Sequence, residues 1–263
     1  MKHIHMDEFA KLESPLHAMD PRLKALAIIL FIFISATLTN PQFLAAAVVF
    51  WIIILLLSRI PASYVVRRLT WVIPFAGVLI LLFPFITPGD MIWNADLRII
   101  RISATSQGLE RALMLLLRVL ASVLAIVTLM STTRFNNLMK ALSDLRVPAI
   151  IIQMLEFTIR YIFVIIDELK RMSRARKARG FVLGRNLWHF HTIKTLAQLV
   201  GLMFIRAYER GDRVYIAMIS RGFTGKTNSM NNFVICSKDY LLASLISLVA
   251  IFLLVLDRVL PAL

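Results

Sequence analysis

Cysteine occurs once in this chain, as Cys236, which excludes an intramolecular disulfide and any metal centre built on cysteine pairs. A lone cysteine in an apolar protein is expected to be a small buried or interfacial residue. Acidic residues are also scarce. There are 15 Asp and Glu against 30 Lys and Arg, giving a formal charge of +15. No Ser-His-Asp arrangement, pair of catalytic carboxylates or glycine-rich dinucleotide turn can be assembled, so no catalytic residue and no cofactor is assigned and no enzymatic activity is expected. Repeats at solenoid periods are absent. No cleavable leader is expected either. The first apolar run follows a mixed polar segment, lacks a small-residue cleavage site and leads almost directly into a second run. The N-terminus is therefore expected to stay cytoplasmic.

What the chain has instead is apolar residues, 59% of the total, with a mean hydropathy of +0.77. Soluble domains carry roughly 45–50%, so an integral membrane protein is expected, with the lipid bilayer as its first partner. Excess positive charge has two generic readings, nucleic acid or the cytoplasmic face of a membrane. With membrane spans present the second suffices, and no nucleic-acid partner is expected.

A span needs roughly 20 apolar residues. Between Ala25 and Ser58 no charged residue occurs, but Asn40-Pro41-Gln42 interrupts the run. Proline lacks a donor and fixes φ, so the sequence predicts a helical hairpin with spans over about 23–39 and 43–57. A third span is expected over 69–87, with Pro74 and Pro84 inside it, a fourth over 112–130, and a fifth over 240–256. The loop after span two carries Arg59, Arg67 and Arg68 without an acid, whereas Asp90, Asp96 and Glu110 balance Arg98 and Arg101 in the loop after span three. An N-in, C-out arrangement places every basic loop inside. Arg118, within span four, is read as snorkelling near the outer end.

Positive charge concentrates in residues 131–238, which hold 18 Lys and Arg against 6 Asp and Glu, a net +12 of the total +15. Two apolar stretches there, 147–166 and 192–205, are expected not to cross. The first contains Gln153, Glu156 and Arg160, and the second is too short. They are read as parts of amphipathic helices lying along or under the membrane. A short helix is predicted to end at Arg146-Val147-Pro148, followed by a long helix over 149–179 and another over 193–221. Glu156 with Arg160, and Asp167 with Arg171, are spaced to pair at i,i+4. The expected organisation is a cytoplasmic N-terminal segment (1–22), four spans (23–130), a cytoplasmic helical region (131–238), and a last span with the C-terminus (239–263).

Within the basic block one pattern occurs twice: Ala178-Arg179-Gly180 and Ser220-Arg221-Gly222, each closing a basic helix. One reading is helix termination, with glycine in the left-handed conformation and a cation at the negative end of the dipole. The other is docking, each arginine projecting from a helix end to pair its planar fork with carboxylates on a partner. Gly225-Lys226-Thr227 imitates the end of a phosphate-binding loop, but Ser220 stands where the earlier glycine is required and no strand precedes it. His3, His5, His17, His189 and His191 lack the acidic or cysteine neighbours that would complete a metal shell, so no metal site is assigned.

Taken together, the segment Ser14-Pro15-Leu16-His17-Ala18-Met19-Asp20-Pro21-Arg22-Leu23-Lys24, the stretch Glu209-Arg210-Gly211-Asp212-Arg213-Val214-Tyr215 and the two Arg-Gly-Phe helix ends resemble the transmembrane T component of energy-coupling factor (ECF) transporters. The resemblance covers nearly the whole chain. It implies an all-α integral membrane protein with about five transmembrane helices and a cytoplasmic or interfacial set of amphipathic coupling helices. It further implies a non-catalytic subunit of an importer in the cytoplasmic (inner) membrane of a prokaryote. Ala178, Arg179, Gly180, Ser220, Arg221 and Gly222 would rest in grooves on two cytoplasmic ATPase subunits, with Ser220 where the family has alanine. A separate substrate-capturing membrane subunit would receive the motion. His5-Met6-Asp7-Glu8-Phe9-Ala10 and the Pro74-Phe75 and Pro84-Phe85 pairs are similar to the cobalt branch, CbiQ, which implies cobalt uptake, with nickel or a vitamin as the alternatives. The reading from a different class is a membrane scaffold whose basic platform binds anionic lipid.

Overall fold

A computed structural model of the chain describes residues 14–87, 90–97, 100–180, 190–225, 233 and 236–260. The expected all-α class holds, with one addition. The described elements are α1 (Pro15–Ala18), α2 (Pro21–Thr37), α3 (Pro41–Leu57), α4 (Ala62–Ile86), β1 (Met91–Leu97), β2 (Ile100–Thr105), α5 (Ser106–Thr132), α6 (Phe135–Asp144), α7 (Ala149–Ala178), α8 (Phe190–Ser220) and α9 (Ser237–Val259). They fall into two compact units, one of residues 4–141 with 231–263, the other of residues 142–230 together with 1–3.

In the first unit the predicted hairpin forms around prolines placed as helix starters. Pro21 and Pro41 occupy the first turns of α2 and α3, where the missing N–H costs nothing. Asp20 caps α2 by accepting from the Arg22 amide at 2.9 Å. Helix α5 packs against α2, α3 and α4, while α9 lies on α2. The contact positions are rich in small residues: Ala25, Ala47, Ala121, Ala125 and Ala250 are each at most 1% exposed. In lipid, helices gain little from apolar burial and associate by close backbone approach, which alanine permits. Phe31, Phe50 and Trp51 form an aromatic cluster, with Phe31 meeting the Trp51 ring edge-on at 5.2 Å.

Several expectations for this unit are corrected. Arg67 and Arg68 lie inside α4, which starts well before the predicted span and continues through Pro74 and Pro84, so the connection after α3 is only a short turn. The segment after α4, read as a plain loop, forms an antiparallel β1–β2 hairpin. Thr105 ties it to the helices, donating to the Thr87 carbonyl at 2.9 Å and capping α5 by accepting from the Gly108 amide at 3.2 Å. Arg118 does not snorkel. Its Nη2 donates to the carbonyl of Leu38, the C-cap residue of α2, at 2.8 Å, supplying a partner at the end of that helix. Of the two readings of Cys236, buried or interfacial, the first is excluded: it is exposed, and it caps α9 in a reciprocal box with Asp239.

Among the described residues, α5, α7 and α9 are long and apolar enough to cross a membrane by length and composition, and α3 is a shorter apolar helix. One 18-residue window of α7 is thus apolar enough to span, although residues 147–166 are read as interfacial.

Candidate docking site

In the second unit, α7 and α8 run antiparallel, which three ties establish. Arg176 Nη1 donates to the Thr195 carbonyl at 3.1 Å, the Glu168 carboxylate pairs with Arg206, and Gln153 Nε2 donates to the Gly225 carbonyl at 2.8 Å. The order of partners along α8 reverses that along α7. Gln153 is 9% exposed, so its amide is committed to holding the chain that leaves α8.

As far as the glycine, the two Arg-Gly ends share one backbone geometry. At the end of α8, the Gly222 amide donates to Ile219 at 2.9 Å and the Phe223 amide to Met218 at 3.0 Å, with Gly222 at φ +78. These are the two hydrogen bonds of a Schellman motif. At the end of α7, the Gly180 amide donates to Lys177 at 3.0 Å with Gly180 at φ +76. Glycine takes both left-handed positions because it has no Cβ to clash there. Helix termination is therefore accomplished by the glycine and by backbone hydrogen bonds. No hydrogen bond from either arginine side chain takes part in it. Arg179 and Arg221 are both exposed, and among the described residues neither guanidinium has a hydrogen bond or ion pair. Ser220 spends its hydroxyl on its own helix, donating to the Ile216 carbonyl at 2.9 Å, so it presents a small, internally satisfied surface as Ala178 does.

The ties also fix where the two ends lie. Gln153 holds the segment just after the second motif, whereas the first motif is 26 residues further along the same helix, roughly 40 Å at 1.5 Å per residue. The structure thus puts Ala178, Arg179 and Gly180 at one end of the helix pair and Ser220, Arg221 and Gly222 at the other. They form two separate platforms.

Some of this was absent from the sequence reading. Gln153 and Arg176 had no assigned role, because their partners are backbone carbonyls. Phe223 follows Gly222 as Phe181 follows Gly180, so the repeated aromatic was a readable sign of the shared terminus; Phe181 lies outside the described residues. The predicted i,i+4 ion pairs do not form. Arg171 meets Glu168 at 3.8 Å and Lys170 meets Asp167 at 4.0 Å, while Arg160 lies over the Phe157 ring. Among the described residues no three His, Cys, Asp or Glu groups cluster as metal ligands. His3, His5, His189, residues 5–10 and Lys226-Thr227 lie outside the described residues.

Comparison with known proteins decides the family. The family described as cobalt transport protein, CbiQ, matches residues 13–231. This chain belongs to the CbiQ family. The chain is also similar to the energy-coupling factor transporter transmembrane protein EcfT of Streptococcus equi subsp. equi, at 30% identity covering 91% of each chain. It is 29% identical to an uncharacterised protein of Methanocaldococcus jannaschii over 98% of this chain and 88% of that one. A putative fused cobalt transport protein, CbiMQ, of Methanocorpusculum labreanum is 28% identical over 84% of this chain, which matches 37% of the fused protein. This CbiQ-family chain is thus a membrane component of the ECF transporter type, related to transporter membrane proteins.

Proposed function

We propose that this chain is the coupling subunit of an ECF-type importer, transmitting ATP-driven motion of two cytoplasmic ATPase subunits to a substrate-capturing membrane subunit. The observation that carries the reading is the pair of exposed arginines, Arg179 and Arg221, without a hydrogen bond or ion pair among the described residues, each followed by a left-handed glycine at opposite ends of the α7–α8 pair. A helix cap needs no arginine, and one binding site does not need two platforms roughly 40 Å apart. Two copies of a partner do. A guanidinium fork on each platform can hold a carboxylate bidentately, and the rigid helices can carry a displacement from one platform toward the rest of the chain.

The same reading puts residues 131–238 in the cytoplasm, the N-terminus inside and several spans in the cytoplasmic membrane of a prokaryote, on the strength of the loop charges. It leaves ATP hydrolysis to the partners. Cobalt is the proposed cargo, supported by the family's description as cobalt transport protein and by the name of the fused relative.

The test is co-purification of the full chain with a candidate ATPase pair, wild type against Arg179→Ala/Arg221→Ala. Capture by wild type and loss in the double variant, with both inserted in the membrane, is the expected result. Equal capture by both forms would overturn the docking role.

A further inference from the structure

Between α7 and α8 lies an open groove of about 690 Å³, a size typical of small-molecule sites. Its two walls differ in chemistry. Helix α7 contributes mainly apolar residues, Phe157, Tyr161, Ile162 and Ile165, with Glu168 and Arg171 at one end, whereas α8 contributes Arg206, Arg210 and Arg213 beside Glu209 and the apolar Met203 and Ala207. The antiparallel course causes this contrast, because it brings the apolar part of α7 opposite the charged part of α8.

The cations exceed the anions that could quench them. Arg171 and Arg206 share Glu168, and Arg213 stands 3.9 Å from Glu209, all within the groove lining. Arg210 is left over, with no hydrogen bond or ion pair among the described residues. An occupant must therefore present an apolar body to one wall and an anion to the other. A free phosphate would leave the aromatic wall uncovered, and a zwitterionic lipid would bring its own cation to the arginines. Helix α7 is also apolar enough to lie in a bilayer, where lipid is the ligand at highest concentration.

We infer that this groove seats an anionic phospholipid, its acyl chain along the α7 wall and its phosphate on the α8 guanidinia around Arg210. Basic pockets beside apolar helices suit such headgroups, and the arginine fork matches phosphate oxygens. The site is separate from the docking motifs, since neither Arg179 nor Arg221 lines it.

The test uses the full chain in neutral detergent, titrated with dioleoyl-phosphatidylglycerol or dioleoyl-phosphatidylcholine, with bound lipid counted by native mass spectrometry. Phosphatidylglycerol should be retained roughly tenfold more strongly, and Arg210→Ala should cut that retention about fivefold. Ile165→Asn, which wets the opposite wall, should also weaken it. Lys194→Ala, which removes a charge from α8 outside the groove, should leave it unchanged. Elution volume and helical content establish that each variant is folded, and Arg210→Gln replaces the alanine variant if that one fails. Equal retention of both lipids would overturn the inference. So would an equal loss in Lys194→Ala, which signals a diffuse field. Displacement by excess inorganic phosphate would assign the site to a soluble anion and overturn the lipid as well.

Discussion

Asp257 and Thr39 are joined by two hydrogen bonds of 3.0 Å, the Thr39 amide and hydroxyl both donating to one carboxylate oxygen, while the other accepts from the Asn40 amide at 3.0 Å. The carboxylate thus caps the start of α3 from the far end of α9, and it is only 3% exposed. Arg118 reaches the same turn through the Leu38 carbonyl. A guanidinium serves the carbonyl that ends α2, and a carboxylate serves the amides that begin α3.

Replacing Asp257 by Ala should therefore destabilise the protein by about 1–3 kcal/mol, because three part-buried hydrogen bonds lose their charged acceptor. Asp257→Asn should cost less, since one amide oxygen still accepts. Thermal unfolding of the detergent-solubilised chain, followed by helical signal, checks the order. Equal stability of wild type and the alanine variant would show that water satisfies the turn.

Arg118→Leu should cost about 1–3 kcal/mol by leaving the Leu38 carbonyl without its donor. Arg118→Lys should recover part of that, because an ammonium can reach a carbonyl without the fork. If Arg118 merely snorkelled to a headgroup, leucine would be tolerated without loss in the same unfolding assay.

These two residues mark where the sequence was legible and where it was not. Pro21 and Pro41 announce their helix starts through their own geometry, and Gly180 and Gly222 announce their ends in the same local way. Arg118 depends on a carbonyl 80 residues away, and Asp257 on a turn more than 200 residues away. No periodicity encodes such distances. The hairpin of β1 and β2 was hidden because its charges read as a balanced loop. The placement of Arg179 and Arg221 at opposite ends of one helix pair needed Gln153 and Glu168, whose partners only the fold reveals.

Gly222→Ala should cost about 1–2 kcal/mol, because φ +78 places a Cβ in the left-handed region while no neighbouring atom obstructs it. Gly180→Ala, at φ +76 with equally open surroundings, should behave alike. Both variants should insert and fold. Hydrogen exchange over the last turn of α8 should quicken in Gly222→Ala; unchanged exchange would mean that the terminus tolerates another conformation.

Gln153→Leu should free the segment after α8 without unfolding α7, since it removes the 2.8 Å bond to the Gly225 carbonyl and keeps the side chain's bulk. Faster exchange at residues 223–225, with unchanged exchange in the middle of α7, is the expected pattern. Loss of protection along all of α7 would instead make Gln153 a support of the helix itself.

The most discriminating substitution is Arg179→Lys combined with Arg221→Lys, because it keeps the charge and removes the fork. If each platform meets a carboxylate bidentately, lysine cannot reproduce the planar pair of donors. ATPase capture should then fall nearly as far as in the alanine double variant. If the platforms act only as part of the basic field that gives residues 131–238 a net +12, lysine should restore capture in full. Ionic strength separates the two further. A diffuse field weakens steeply between low and physiological salt as the screening length shortens to about 8 Å, whereas close bidentate pairs shielded from solvent weaken much less. Capture by wild type that survives physiological salt, together with loss in the lysine variant, would assign recognition to the shape of the guanidinium as well as to its charge.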